Sequence, residues 1–177
     1  DCIPQVTDRN QLAELEIQVQ MLGSQGGEGR DQALAALDGQ LAGLEGQPGV
    51  GNAPRFLRVQ AALIRRDIEA AKDLLAKVTP ADPTERLRVA LMSAEMSVVQ
   101  DKTEEAIQTL EAARVEFPDA TEPARSLAVL LLRRTDQAAR CEEVLKQALG
   151  RARTAGAKRE LGLLLGAAYD RWGRGDE

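Results

Sequence analysis

A chain of 177 residues with 44% hydrophobic but only 2% aromatic residues can fill one compact domain, or about four to five helical hairpins, with a core of Leu, Ala, Val and Ile. Its net charge of −5 excludes a nucleic-acid partner held by bulk electrostatics, and the absence of histidine removes the usual neutral-pH general base and the commonest metal ligand. No apolar run approaches the ~18 residues of a membrane span.

Asp1 to Thr7 reads as an entry strap, with Pro4 delaying the first helix until Thr7 or Asp8 caps it. That helix runs to about Leu22 with Leu12, Leu15, Ile17, Val19 and Leu22 apolar, and Gly23 to Gly27 breaks it. A second helix spans about Arg30 to Glu45, with Ala33, Leu34, Leu37, Leu41 and Leu44 on one face. Gly39 and Gly43 either weaken it or let a neighbour approach closely. Gly46 to Gly51 is the clearest linker. Asn52 then caps a third helix with Pro54 in its first turn, carrying Phe56, Leu57, Val59, Leu63 and Ile64.

Arg66 to Ala71 turns the chain into a helix with Ala71, Leu75 and Val78 on one stripe, closed by Pro83. Asp82-Pro83-Thr84-Glu85 is a strong helix start: a capping side chain, proline at the first helical position and a glutamate that can reach back. The next stripe, Ala106, Leu110 and Ala113, is closed by Pro118. Ala71 to Ala106 and Pro83 to Pro118 are both 35 residues, and a further 35 reaches Cys141, with Leu145 and Ala148 at the same offsets. The last helix starts near Ala157 and contains Leu165-Gly166-Ala-Ala-Tyr169, followed by Gly173.

This small–large–small stripe with a terminal proline resembles the second helix of the tetratricopeptide-repeat (TPR) unit, and Leu165-Gly166-x-x-Tyr169 resembles the signature of its first. The resemblance covers roughly residues 52–173. It implies an all-α, right-handed α-solenoid of about four and a half TPR-like hairpins, at about 52–86, 87–121, 122–156 and a partial 157–177. Residues 1–51 supply the strap and a degenerate hairpin. In the middle units the expected Gly and Tyr positions hold Val59 and Ala62, Ala94 and Ser97, and Val129 and Leu132, a departure from the family pattern. A pentatricopeptide array of the same period and a non-repetitive helical bundle are the alternatives.

The resemblance also implies a non-catalytic scaffold that binds a protein or peptide on the concave face of its first helices, as a segment of a larger protein. The implied groove positions include Phe56, Gln60, Leu63 and Ile64, then Arg88, Leu91, Glu95, Val98 and Val99. Ser126, Leu130, Arg133 and Arg134 follow, and finally Leu163, Ala167, Asp170 and Arg171. The Lys and Asn side chains of the family's carboxylate clamp are missing, so no chaperone-tail binding is implied. Partner-binding candidates are Phe56, Gln60, Arg88, Glu95, Arg133, Arg134 and Arg171.

Residues 133–174 carry 10 basic and 5 acidic side chains against the acidic balance elsewhere. Arg133, Arg134 and Arg171 can form a positive groove end for an acidic partner segment, since arginine forks suit carboxylates. The alternative is that consecutive arginines at a helix end complement its dipole. The apolar lining of Phe56, Leu63, Ile64, Val98 and Val99 reads first as helix packing, with a ligand groove as the second reading. Leu161, Leu164, Leu165 and Ala168 give the last helix an apolar face that a further segment or another copy would cover. A homo-oligomeric self-assembly module is therefore the rival function.

No catalytic residue, metal site, cofactor or phosphate loop is expected. Cys2 and Cys141, 139 positions apart, form neither a zinc site nor a redox pair, and Cys141 falls in a small-residue slot where a buried, reduced thiol belongs. The chain begins at Asp1 with no visible signal peptide and reads as processed or excised, so cytoplasmic and exported locations both stay open.

Overall fold

The structure, a computed structural model, describes residues 3–24 and 29–173. Among them are nine α-helices, a short 3-10 turn and no strand. The helices are α1 (Ile3–Ser24), α2 (Arg30–Leu44), α3 (Ala53–Ile64), α4 (Ile68–Ala76), α5 (Pro83–Val99), α6 (Thr103–Glu116), α7 (Glu122–Leu131), α8 (Ala138–Arg151) and α9 (Ala155–Arg171). The all-α class follows from the apolar residues, which recur at helical rather than alternating spacing. The chain divides into two compact units, residues 1–100 and 101–177.

In the first unit, α1 begins at Ile3 rather than at Thr7 or Asp8. Pro4 lies in its first turn, where a missing N–H is harmless, so the expected strap is helical from Ile3 onward; Asp1 and Cys2 lie outside the described residues. Helix α1 runs on to Ser24, ending within the Gly23–Gly27 stretch expected to break it, of which residues 25–27 lie outside the described residues. A Cβ at Gly23 would stand 3.0 Å from Ile64 Cδ1, so the glycine permits a close approach to α3. Leu15 and Val19 of α1 join Leu37, Leu41 and Leu44 of α2 and Leu57 of α3 in one buried cluster. Leu34 is also fully buried. Gly39 and Gly43 face outward, with nothing within 4 Å of an added Cβ. The close-approach reading therefore fails for both, and what remains is their weakening of the helix.

Helix α3 packs against α1, α2, α4 and α5. Phe56, Val59, Ala62 and Leu63 of α3 form a second cluster with Ala71, Leu74 and Leu75 of α4 and Met92 of α5. Asn52 does not cap α3. Its backbone is already close to helical (φ −86°, ψ −2°), and its side-chain amide donates to Thr79 O at 2.9 Å and Glu85 Oε2 at 2.8 Å. It thus ties the start of α3 to the approach to α5. Asp82 does cap α5, accepting from Glu85 N at 2.9 Å, and Glu85 reaches back to Ala81 N at 2.8 Å.

In the second unit, α6 packs on α7, α7 on α8, and α9 on both α8 and α7. The last helix starts at Ala155 rather than near Ala157, because Thr154 caps it by accepting from Ala157 N at 3.1 Å. Cys141 is fully buried, its thiol donates to Ala128 O at 3.6 Å, and burial pushes it up to about 11. That is the inert small apolar role expected of it.

The 35-residue offsets reappear in the coordinates of each unit. Ala71, Ala106 and Cys141 are all fully buried, as are Leu110 and Leu145, with Leu75 at 8% exposure. Arg66 and Asp101, also 35 apart, both adopt the left-handed conformation at φ 60° just after α3 and α5. Gly173 does the same after α9 (φ 72°). Helix α7 ends differently, passing into the 3-10 turn Thr135–Gln137.

Candidate interaction surface

The expected partner-binding residues divide four and three between the two units. In the first, Phe56 is only 1% exposed and belongs to the core cluster with Met92. Its placement on a binding face is therefore corrected: a ring this size is spent on packing. What covers it is the guanidinium of Arg88, 4.8 Å from the ring centroid. Burial lowers the Arg88 pKa, opposed by the charges of Glu16 and Glu85. Gln60, one turn beyond Phe56 on α3, is half-buried. Glu95 lies two turns beyond Arg88 on α5 and keeps an exposed surface, yet the surrounding protein displaces enough water to raise its carboxyl above the ordinary range. Leu63 is buried, and Ile64 packs against the α1–α2–α3 cluster, so both serve helix packing.

In the second unit Arg134 is not a free cation. It pairs with Glu104 and lies 3.6 Å from Asp136, and the hydrogen bond and charge of Glu104 raise its pKa. Arg133 and Arg171 are exposed, with no ion pair or side-chain hydrogen bond among the described residues. Of the three arginines, Arg134 is thus paired, whereas Arg133 and Arg171 are not. The outer face of α7 also differs from the expected one by a residue: Leu130 is buried, while Val129 is 42% exposed beside Arg125 and Arg133. On α9, Leu163 is 68% exposed, but Leu161 and Ala168 are buried against its neighbours. Arg125 of α7 reaches Glu160 of α9 at 3.3 Å, exactly one period on in sequence.

The sequence reading missed a cluster that holds α2 to α3. Arg58 donates to Asp38 Oδ1 at 2.8 Å, to Oδ2 at 3.1 Å and to Glu45 Oε1 at 2.7 Å. Arg55 adds a bond to Glu45 Oε2 at 2.5 Å and another to Lys77 O at 3.1 Å. Burial pushes the Glu45 carboxyl up, but the hydrogen bonds and charges of Arg58 and Arg55 outweigh it and hold it below the ordinary range. Acid–base pairs so far apart in sequence carry no local signal, so only the fold reveals them. Among the described residues no three His, Cys, Asp or Glu side chains gather as a metal site, and no helix is long and apolar enough to cross a membrane.

No protein-family model matches the chain, and no curated protein or solved structure resembles it at a significant level. The likeness to tetratricopeptide repeats therefore rests on the spacing of residues along the sequence.

Proposed function

We propose that the chain is a non-catalytic, TPR-like scaffold that binds a protein or peptide partner through the concave face of its first helices. A right-handed solenoid is the arrangement this reading implies. The observation that carries it is the repeated corner: Arg66 and Asp101 take the same left-handed backbone 35 residues apart, behind helices whose partners bury Ala71 and Ala106 alike. Recurrent hairpins of this kind bury their stripes by stacking and leave the first helix of each pair for recognition. The sequence supplies no histidine for acid–base work, which favours binding over catalysis.

The test compares two faces. Once a partner is captured, charge-reversing substitutions at Arg88 and Arg133 should weaken its retention, whereas changes at the exposed α4 residues Lys72 and Asp73 should not. Equal sensitivity of both faces, or of neither, would overturn the reading. A second reading, self-assembly, is favoured by Leu163, a large apolar side chain 68% exposed on the last helix. Light scattering on the wild type and on Leu163→Glu separates them: a dimer that dissociates in the variant supports self-assembly, and a monomer in both supports the scaffold.

A further inference from the structure

We infer that Arg88 is the anchor of the α3–α5 face for a carboxylate side chain of a partner peptide. This rests on the scaffold reading and gives that face a ligand chemistry. Three observations converge on it.

The guanidinium is fixed in place. It lies over the Phe56 ring at 4.8 Å and is half-buried, so its plane is set before any partner arrives. Half-burial leaves part of the guanidinium within reach of a ligand. Its donors are also unspent. Among the described residues no oxygen accepts a hydrogen bond from Arg88, and neither Glu16 nor Glu85 forms an ion pair with it, although both act on it through space. Glu85 is instead occupied by Asn52 and Ala81 N. Arg55 and Arg58 of this unit, also half-buried, behave differently: Arg55 donates to Glu45 and Lys77 O, and Arg58 to Asp38 and Glu45. The Gln60 side chain, half-buried one turn along α3 from Phe56, has no hydrogen-bonded partner among the described residues and offers an amide donor on the same side of that helix.

Charge selects the ligand. Among the described residues Arg88 is the one cation over Phe56, and the acids that act on it are Glu16 and Glu85. A planar, singly charged carboxylate matches one guanidinium fork, whereas a phosphate dianion would carry an uncompensated charge toward two glutamates. Partial burial strengthens such a pair relative to the exposed Arg133 and Arg171.

The experiment probes the full chain with an array of immobilised peptides, each printed with glutamate, glutamine or phosphoserine at one central position. Binding of glutamate peptides that weakens about tenfold on Arg88→Gln, and weakens also on Arg88→Lys and on replacement of glutamate by glutamine, is the expected result. Arg88→Lys keeps the charge and aliphatic stem, so unchanged helicity and Tm in that variant exclude misfolding as the cause. Peptides bound equally well by wild type and both variants, or phosphoserine peptides bound more tightly than glutamate ones, would overturn the assignment of Arg88 while leaving the scaffold reading standing. Binding of no peptide by the wild type would remove both.

Discussion

Two arginine ion pairs, one in each unit, lie in opposite surroundings. In the first, Arg58 is 20% exposed and clasps Asp38 with both ends of its fork while also reaching Glu45. In the second, Arg153 pairs with Asp119 at 2.9 Å, but the two side chains are 76% and 68% exposed. Similar distances thus carry different weights. A partly desolvated, bidentate network has its geometry fixed by the helices that carry it, whereas an exposed pair competes with water and salt and must immobilise two long side chains. The lesson is that distance alone does not rank ion pairs in this protein.

The broadest control on that contrast comes from the cores, where the units should respond alike. Leu57→Ala in the first and Leu145→Ala in the second each remove a fully packed side chain. Each should cost about 2–5 kcal/mol in chemical denaturation, and a much smaller loss in either would mean that its core collapses around the gap. The arginines should then separate. Arg58→Ala should cost about 2 kcal/mol, because it leaves Asp38 without its charged donor and Glu45 with Arg55 alone, whereas Arg153→Ala should leave the midpoint unchanged. Equal losses would end the distinction.

Acid titration sharpens it further. The folded pKa of Glu45 lies below its unfolded value, so its stabilisation is fully present above the ordinary carboxylate range and is lost as pH falls through the folded value. Glu45→Gln should therefore lower Tm at neutral pH and flatten the acid limb of the Tm–pH curve. A parallel curve would show that Glu45 is not the group responsible. The smallest effect has the opposite sign. Gly43→Ala on the outward face of α2 should raise stability by about 1 kcal/mol, since an added methyl meets nothing within 4 Å. A loss instead would reveal a neighbour on that face.

The fold class was legible because burial tracks short-range pattern. Ala106, Leu110 and Ala113 are all buried as the stripe predicted, and Asp82-Pro83 opens α5 with the expected cap. Helix beginnings were less legible where two capping solutions compete. Asn52 has the right chemistry for a cap, but its amide finds Thr79 and Glu85, which only tertiary structure brings near. The interaction surface was read least well. Periodicity places Phe56 and Arg88 on facing helices, yet it does not say which of the two covers the other. A one-residue shift in the outward face of α7 exchanged Leu130 for Val129. Arg134 looked like its neighbour Arg133 until the fold supplied Glu104.

One group of ties within the first unit runs forward along the chain. Asn52 donates to Thr79 and Glu85, Arg55 to Lys77, and Arg66 to Val99, at 3.4 Å in the last case. In each, the donor precedes its acceptor along the chain by between 22 and 33 residues. A ribosome therefore delivers α3 with its polar ends still hydrated, and each bond closes only when the following segments have emerged. Vectorial synthesis leaves these forward ties of α3 open while Asp38 and Glu45 are already in place for Arg58, and the completed α5 is what finally locks its corner.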